Sequence, residues 1–337
     1  MMTLEGIEKR LIDGWQRDFP LVQRPYREIA ASIHAGENEV IEGLARLGQR
    51  GILSRVGATL RPNTVGASTL AALSVAEDRL EEVAAIVSSE AGVNHNYERE
   101  HALNLWFVVT GRDQASIRST LHRVSARTGL PVLELPLERA YVLDLGFPLH
   151  GDGAHWSAKE RAEAAQLRAR TLLQGEPARG VTESERRILV ALADGLALSE
   201  RPFKAVGEAA GLDEDEALQL IAGLIEDGII SRFGLVVRHR PLGYRANAMV
   251  VWDIADREVD RIGKRLAAEP GVALCYRRPR RLPSWPYNLF AMLLGKDRGA
   301  VLAEVDALTR MAEIGDRPRA VLFSRRSFKQ RGASLSA

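Results

Sequence analysis

The chain has 337 residues, 46% of them hydrophobic and 27% charged, enough to bury more than one core. Its 46 lysines and arginines against 44 acids leave a formal charge of +2, which excludes a bulk pull onto nucleic acid or membrane and restricts any anion site to a local cluster. A single cysteine, Cys275, excludes an internal disulfide and a multi-cysteine metal site. The start, MMTLEGIEKRLIDGW, is acidic and amphipathic, and no apolar run approaches membrane-spanning length, so the expectation is a soluble cytoplasmic protein.

In chain order, IEKRLIDGWQ carries apolar residues at helical spacing, and PYREIAASI opens on a proline suited to a first helical turn. ENEVIEGLARLGQRG is a third helix closed by Gly51. This predicts a helix-turn-helix, continued by ILSRVGATL as a short wing-like strand pair. After Gly66 the period alternates: STLAALSV reads as a strand, AEDRLEEVAAIVSSE as a helix, and VNHNYERE and LNLWFVVT as two strands. QASIRSTLHRVSART reads as a second helix and PVLELPLERAYVLDL as one last strand. GFPLHGDGAH and the alanine-rich helix SAKERAEAAQLRARTLLQG form a connector, in which His150 and His155 are incidental.

The chain then repeats itself. Arg24-Pro25-Tyr26 recurs as Arg201-Pro202-Phe203, Gly51 to Arg55 as Gly228 to Arg232, and Gly66 as Gly243, while Tyr97 matches Tyr276. The predicted fold class is α+β, an internally duplicated unit of winged helix-turn-helix plus ferredoxin-like (βαββαβ) domain, each with a four-stranded antiparallel sheet backed by two helices. The expected boundaries are 1–65 and 66–147 for the first copy, 148–181 for the linker with its helix, and 182–242 and 243–337 for the second copy.

This order resembles the leucine-responsive and asparagine-regulator class of bacterial transcription factors. The helices that would enter a DNA groove open on acids, Glu37, Glu39 and Glu42 in one copy and Asp213, Glu214, Asp215 and Glu216 in the other. A recognition helix needs cations for phosphates and Arg, Asn or Gln for base edges, so DNA is not the expected partner.

Chemistry concentrates in Asn94–Gly111, NHNYEREHALNLWFVVTG, and in its echo Cys275–Gly295, CYRRPRRLPSWPYNLFAMLLG. Each passes from polar residues beside a tyrosine into an apolar run through Asn-Leu-aromatic (Asn104-Leu105-Trp106, Asn288-Leu289-Phe290). Aligned on Asn-Leu, His101 stands where the second copy has Trp285; aligned on the tyrosines Tyr97 and Tyr276, His95 stands where it has Leu274. The pattern Asn96-Tyr97-x-Arg99-x-His101-x-x-Asn104-Leu105-Trp106-Phe107, with Trp285-Pro286-Tyr287-Asn288-Leu289, resembles the siroheme decarboxylases over nearly the whole chain. Leu103 departs from the aromatic common there.

The resemblance implies a haem-like tetrapyrrole substrate whose acetate side chains at ring positions 12 and 18 become methyls, in the alternative haem route or the route to haem d, with no added cofactor. It implies siroheme as ligand, with homologous decarboxylase subunits and a homodimer as protein partners, and no membrane. A polycarboxylate on a flat ring calls for guanidinium clamps and apolar faces, which Arg99, Arg277, Arg278, Arg280, Arg281, Trp285 and Tyr287 can supply. Regular strand geometry would place Arg278 and Arg280 on one face, with Arg277 and Arg281 on the other. A run of arginines can equally be a solvated strand edge, as can Arg325, Arg326 and Lys329. Loss of carbon dioxide leaves a carbanion to protonate, and His101, as imidazolium, is the leading donor, with Tyr97 to share or orient the proton. His95 shares strand parity with Tyr97, Arg99 and His101, so either His95 or His101 could instead meet the substrate iron. A transcription regulator with a small-ligand domain and a non-catalytic haem-binding sensor are the competing classes.

Overall fold

A computed structural model describes residues 4, 6–143 and 179–330. The connector with His150 and His155 falls outside the described residues. In chain order the first copy runs α1 (Gly6–Trp15), α2 (Pro25–Ser32), α3 (Glu37–Gln49), β1 (Leu53–Leu60), β2 (Ala67–Leu73), α4 (Leu80–Ser89), β3 (Val93–Arg99), β4 (Leu105–Gly111), α5 (Gln114–Thr128), β5 (Leu133–Pro136) and β6 (Arg139–Leu143). The second runs α6 (Glu183–Ala191), α7 (Pro202–Ala210), α8 (Glu214–Glu226), β7 (Ile230–Val237), β8 (Ala246–Trp252), α9 (Val259–Ala267), β9 (Val272–Arg277), β10 (Leu289–Gly295), α10 (Arg298–Met311) and β11 (Arg319–Gln330).

The chain sorts into two compact units, one gathering both helix-turn-helix copies and the other both sheet-forming copies. In the helical unit Pro25 and Pro202 open α2 and α7, where a missing N–H costs nothing, and Gly51 and Gly228, both at φ +68°, follow α3 and α8 in the left-handed conformation. Leu11, Tyr26, Leu44, Phe203, Ile221 and Leu224 are fully buried. The wing departs from expectation: neither copy folds a strand pair of its own. Each contributes one strand, and β1 pairs antiparallel with β7, Gly57 opposite Gly234. Each wing sequence holds only enough residues for one strand, so its hydrogen bonds are met by the duplicate.

The second unit holds one nine-stranded sheet in the order β5-β2-β4-β3-β11-β8-β10-β9-β6. Its halves, β5-β2-β4-β3 and β11-β8-β10-β9, are the two expected ferredoxin-like sheets. The last strands go further than expected. PVLELPLERAYVLDL breaks after Pro136, so that β5 pairs with β2 of its own copy and β6 with β9 of the other. β11 makes the same crossing without a break, its first part on β8 and its second on β3. The edge strands β5 and β6 are consecutive in sequence, and the two halves of the sheet share an inner core of Leu70, Trp106, Met249, Tyr276, Trp285 and Phe290. Separate outer cores lie beneath α4 and α5 and beneath α9 and α10. Among the described residues no helix is long and apolar enough to cross a membrane.

Candidate active site

The two chemistry-bearing hairpins face the inner core. On β3, Tyr97 pairs directly with Trp106, an inner-core residue, so His95, Tyr97 and Arg99 point inward. Asn96 and Glu98 point the other way: Asn96 donates to the Ala84 carbonyl (3.1 Å) and Ser88 Oγ (3.0 Å), and Glu98 meets Arg326 at 2.6 Å. Strand parity stops at Arg99, where β3 ends, and His101 is placed by the turn instead.

The repeated Asn-Leu-aromatic string builds both turns. Asn104 Oδ1 accepts from the Val75 N–H (2.9 Å) while its Nδ2 donates to the Val75 carbonyl (2.8 Å). Asn288 does the same with Ile254, at 3.0 and 2.9 Å. Each amide acts as an extra peptide group, tying the segment that leaves β2 or β8 to the hairpin beside it. His101 and Trp285 sit three residues before these clamps.

His101 is half-buried, with its ring edge to face against Trp285, centroids 5.4 Å apart and planes at 77°. The residues that occupy the same place in the two copies are therefore in contact. The Leu103 N–H donates to His101 Nδ1 at 3.0 Å, so Nδ1 is an acceptor and the ring proton resides on Nε2. Burial also lowers the His101 pKa below its usual 6.5. Both effects work against the imidazolium expected from the sequence and favour a neutral ring with an Nε2–H. His95 Nδ1 lies 3.1 Å from Tyr97 Oη, the two rings stacked with centroids 5.9 Å apart.

The arginines separate sharply. β9 ends at Arg277, so the four do not share two strand faces. Arg277 is held by Glu138 (2.8 Å) and Asp256 (3.8 Å), and Arg280 by Asp253 (2.6 Å), Asp256 (2.7 Å) and the Ile254 carbonyl. Arg280 in turn holds the Asp256 carboxyl below its ordinary pKa. Arg281 is exposed and donates to the Glu134 carbonyl at 3.1 Å. Arg278 differs: its guanidinium lies 4.7 Å over the Tyr276 ring and donates to the Leu135 carbonyl, and its Nε is buried without a hydrogen bond. Arg99, matched to it through Tyr97 and Tyr276, lies 5.8 Å over Tyr97 and donates to the Leu322 carbonyl at 3.2 Å. Burial lowers both pKa values, and Tyr276 acts electrostatically on both. Among the described residues neither guanidinium has a carboxylate partner.

Trp285 is fully buried, in edge contact with Tyr287 (5.0 Å) and Trp106 (5.1 Å), and its Nε1–H has no hydrogen-bond partner. Arg325 and Arg326 are taken up by Glu98, and Lys329 Nζ donates to the carbonyls of Ser88 (2.8 Å) and Glu90 (3.1 Å). Sequence reasoning left Tyr276 out of the site, although its match to Tyr97 was the available signal.

An AsnC-like ligand-binding domain matches residues 65–141 and 241–329, and a siroheme decarboxylase NirDL-like helix-turn-helix domain matches 8–53 and 185–230. The protein is 45% identical to the siroheme decarboxylase NirDL subunit of Paracoccus denitrificans over 99% of each chain. The chain belongs to the siroheme decarboxylase NirDL family. A siroheme decarboxylase of Hydrogenobacter thermophilus is 30% identical over 94% of this chain and 90% of its own. The crystal structure of a NirDL siroheme decarboxylase in complex with an iron-uroporphyrin III analogue superposes with a TM-score of 0.67 at 27% identity, covering 98% of this chain and 95% of that one. Within the family a half-length form also occurs: the NirD subunit of Pseudomonas aeruginosa is 48% identical over 43% of this chain and 97% of its own.

Proposed function

We propose that the protein is a siroheme decarboxylase, a carboxy-lyase that converts the acetate side chains at ring positions 12 and 18 of siroheme into methyl groups in haem d1 biosynthesis. The observation that carries this reading beyond family membership is the matched pair Arg99 and Arg278, two inward guanidiniums seated on tyrosines without carboxylate partners. A buried cation is costly unless an anion completes it, and a tetrapyrrole bearing carboxylates around a flat apolar ring supplies such anions at its rim. Trp285 and Tyr287 suit the ring face, while Arg277, Arg280 and Arg281 shape the loop around it.

In the reaction the bond between the acetate methylene and its carboxylate breaks, carbon dioxide leaves, and the electron pair stays on the methylene carbon, spread into the macrocycle. His101 presents Nε2–H as a neutral donor for that carbon, as neutral imidazoles do elsewhere when a helix or buried environment suppresses the cation, and Nε2 recovers a proton from water. The His95–Tyr97 couple stands on the same inward face as a second proton source or as a contact to the substrate iron. Acetate to methyl plus carbon dioxide consumes one proton and no electrons, so the reading calls for no added cofactor. One chain supplies the two halves that related organisms carry as separate subunits, with siroheme as its ligand. Anaerobic incubation of purified protein with siroheme, followed by mass spectrometry, should show successive losses of two carbon dioxide molecules. Binding without mass loss would make it a haem-binding protein instead.

A further inference from the structure

Trp106 is buried at 1% exposure, and its indole N–H is committed to one group, the Leu103 carbonyl, at 2.7 Å. Leu103 is the residue whose own N–H reaches His101 Nδ1 at 3.0 Å. The turn between them is otherwise secured at both ends: the Arg99 N–H donates to the Asn104 carbonyl (2.8 Å), the His101 N–H to the Arg99 carbonyl (3.0 Å) and the Asn104 N–H to the Leu73 carbonyl (3.1 Å). The Leu103 carbonyl is held by a side chain, the Trp106 indole.

The second copy provides an internal comparison. At the place of Trp106 it has Phe290, which lacks the donor, and at the place of His101 it has Trp285. An indole donor two residues after the asparagine clamp and a histidine three residues before it occur together in one copy and are missing together from these places in the other, although both copies keep the clamp and the inward tyrosine and arginine. A tryptophan needed only to fill the core would not have to track the histidine, since Phe290 fills the matched place at 0% exposure.

We infer that Trp106 is a positioning residue that, by anchoring Leu103, fixes His101 as the Nε2–H tautomer and aims that proton at the substrate, with Trp285 bracing the ring from the other copy. The catalytic part of this inference rests on the proposed decarboxylation; the tautomer part does not. Hydrogen bonds that orient an imidazole also select which nitrogen carries the proton. Loss of the anchor frees Leu103 and allows His101 to exchange tautomers.

The test is nitrogen NMR of the full chain labelled at histidine, recorded without substrate, for the wild type and Trp106→Phe, which keeps an aromatic filler and removes the donor. The wild type should show His101 with an unprotonated Nδ1, and Trp106→Phe should show averaged, mixed-tautomer shifts. Trp252→Phe serves as control, because Trp252 is equally buried, makes no indole hydrogen bond and lies in an outer core, and it should leave the His101 signals in place. With siroheme, Trp106→Phe should lower kcat by about tenfold to a hundredfold, the scale of a modest misplacement, with siroheme affinity unchanged. Unchanged His101 shifts in folded Trp106→Phe would overturn the inference whatever the substrate proves to be, as would equal shifts in both variants. Changed shifts without any siroheme turnover in the wild type would leave the positioning role standing and sink the decarboxylase reading.

Discussion

Tyr141 occupies the space where Gly263 would carry a side chain: a Cβ on Gly263 would lie 2.2 Å from Tyr141 Cε2. Tyr141 belongs to β6, the strand that crosses to the other copy, and its hydroxyl donates to Asp260 Oδ1 on α9 at 2.6 Å. The crossing strand is thus docked by a ring laid on bare helix backbone. Gly263→Ala should destabilise by ~1–3 kcal/mol through overpacking, read as a lower denaturation midpoint. Combined with Tyr141→Leu the loss should be less than additive, because both changes act at one contact.

The arginines should fall into two classes. Arg99→Ala or Arg278→Ala should weaken siroheme binding by roughly 2–5 kcal/mol in an absorbance titration, as expected when one member of a desolvated charge pair is removed. Arg280→Ala breaks ion pairs with Asp253 and Asp256 and should act on loop stability with little change in affinity. Equal effects across all of these would return the cluster to general surface charge.

His101→Gln should fold, bind siroheme and turn over about 10² to 10⁴ times more slowly, the usual range for loss of an acid–base group. Because its ring is held neutral, the wild-type rate should persist as pH rises through about 6.5. An imidazolium donor would fade across that interval, so a falling rate there would contradict the neutral-donor assignment.

Acid should weaken the helical unit through His239. Burial, with Arg240 adding to it, pushes that imidazole down to about 4, so the native state keeps it neutral while an unfolded chain protonates it near 6.5. Its contribution is complete above about 6.5 and is lost as pH falls toward 4, to a limit of ~3 kcal/mol. Urea midpoints at pH 7 and pH 5 should differ in the wild type and converge in His239→Gln.

The helix-turn-helix copies should not bind promoter DNA selectively. The acids at the starts of α3 and α8 are already engaged: Glu37 pairs with Arg24 and Glu214 with Arg201, while Asp213 caps α8 by accepting from the Glu216 N–H at 2.8 Å. Those arginines are engaged within the fold, and the first turns of α3 and α8 carry acids that repel phosphates. Sequence-selective retardation of a promoter fragment at physiological salt would refute this.

The duplication, the helix starts at Pro25 and Pro202, and the Asn104 and Asn288 turns could be read from sequence because each depends on residues within a few positions. The crossing strands could not. Whether β6 pairs with β2 or β9 is decided by docking of the copies, and alternation along RAYVL looks the same in either case. The four arginines of the second hairpin are alike in sequence, and only the folded positions of Glu138, Asp253 and Asp256 distinguish those already paired from Arg278. The hydrogen bond from the Leu103 N–H to His101 Nδ1 likewise depends on a turn geometry that side-chain identity does not reveal.

The exchange of β6 and β11 also bears on how such a protein is assembled. Without β11 the edge of β3 would be a bare row of main-chain donors and acceptors, and β9 would be left so without β6. Halves made as separate chains could complete each other as like pairs as well as unlike ones, and a like pair would carry two histidine turns or none. Covalent continuity makes the unlike pairing intramolecular. Each translated molecule therefore carries one histidine turn and one tryptophan turn, a ratio that no imbalance in expression can disturb.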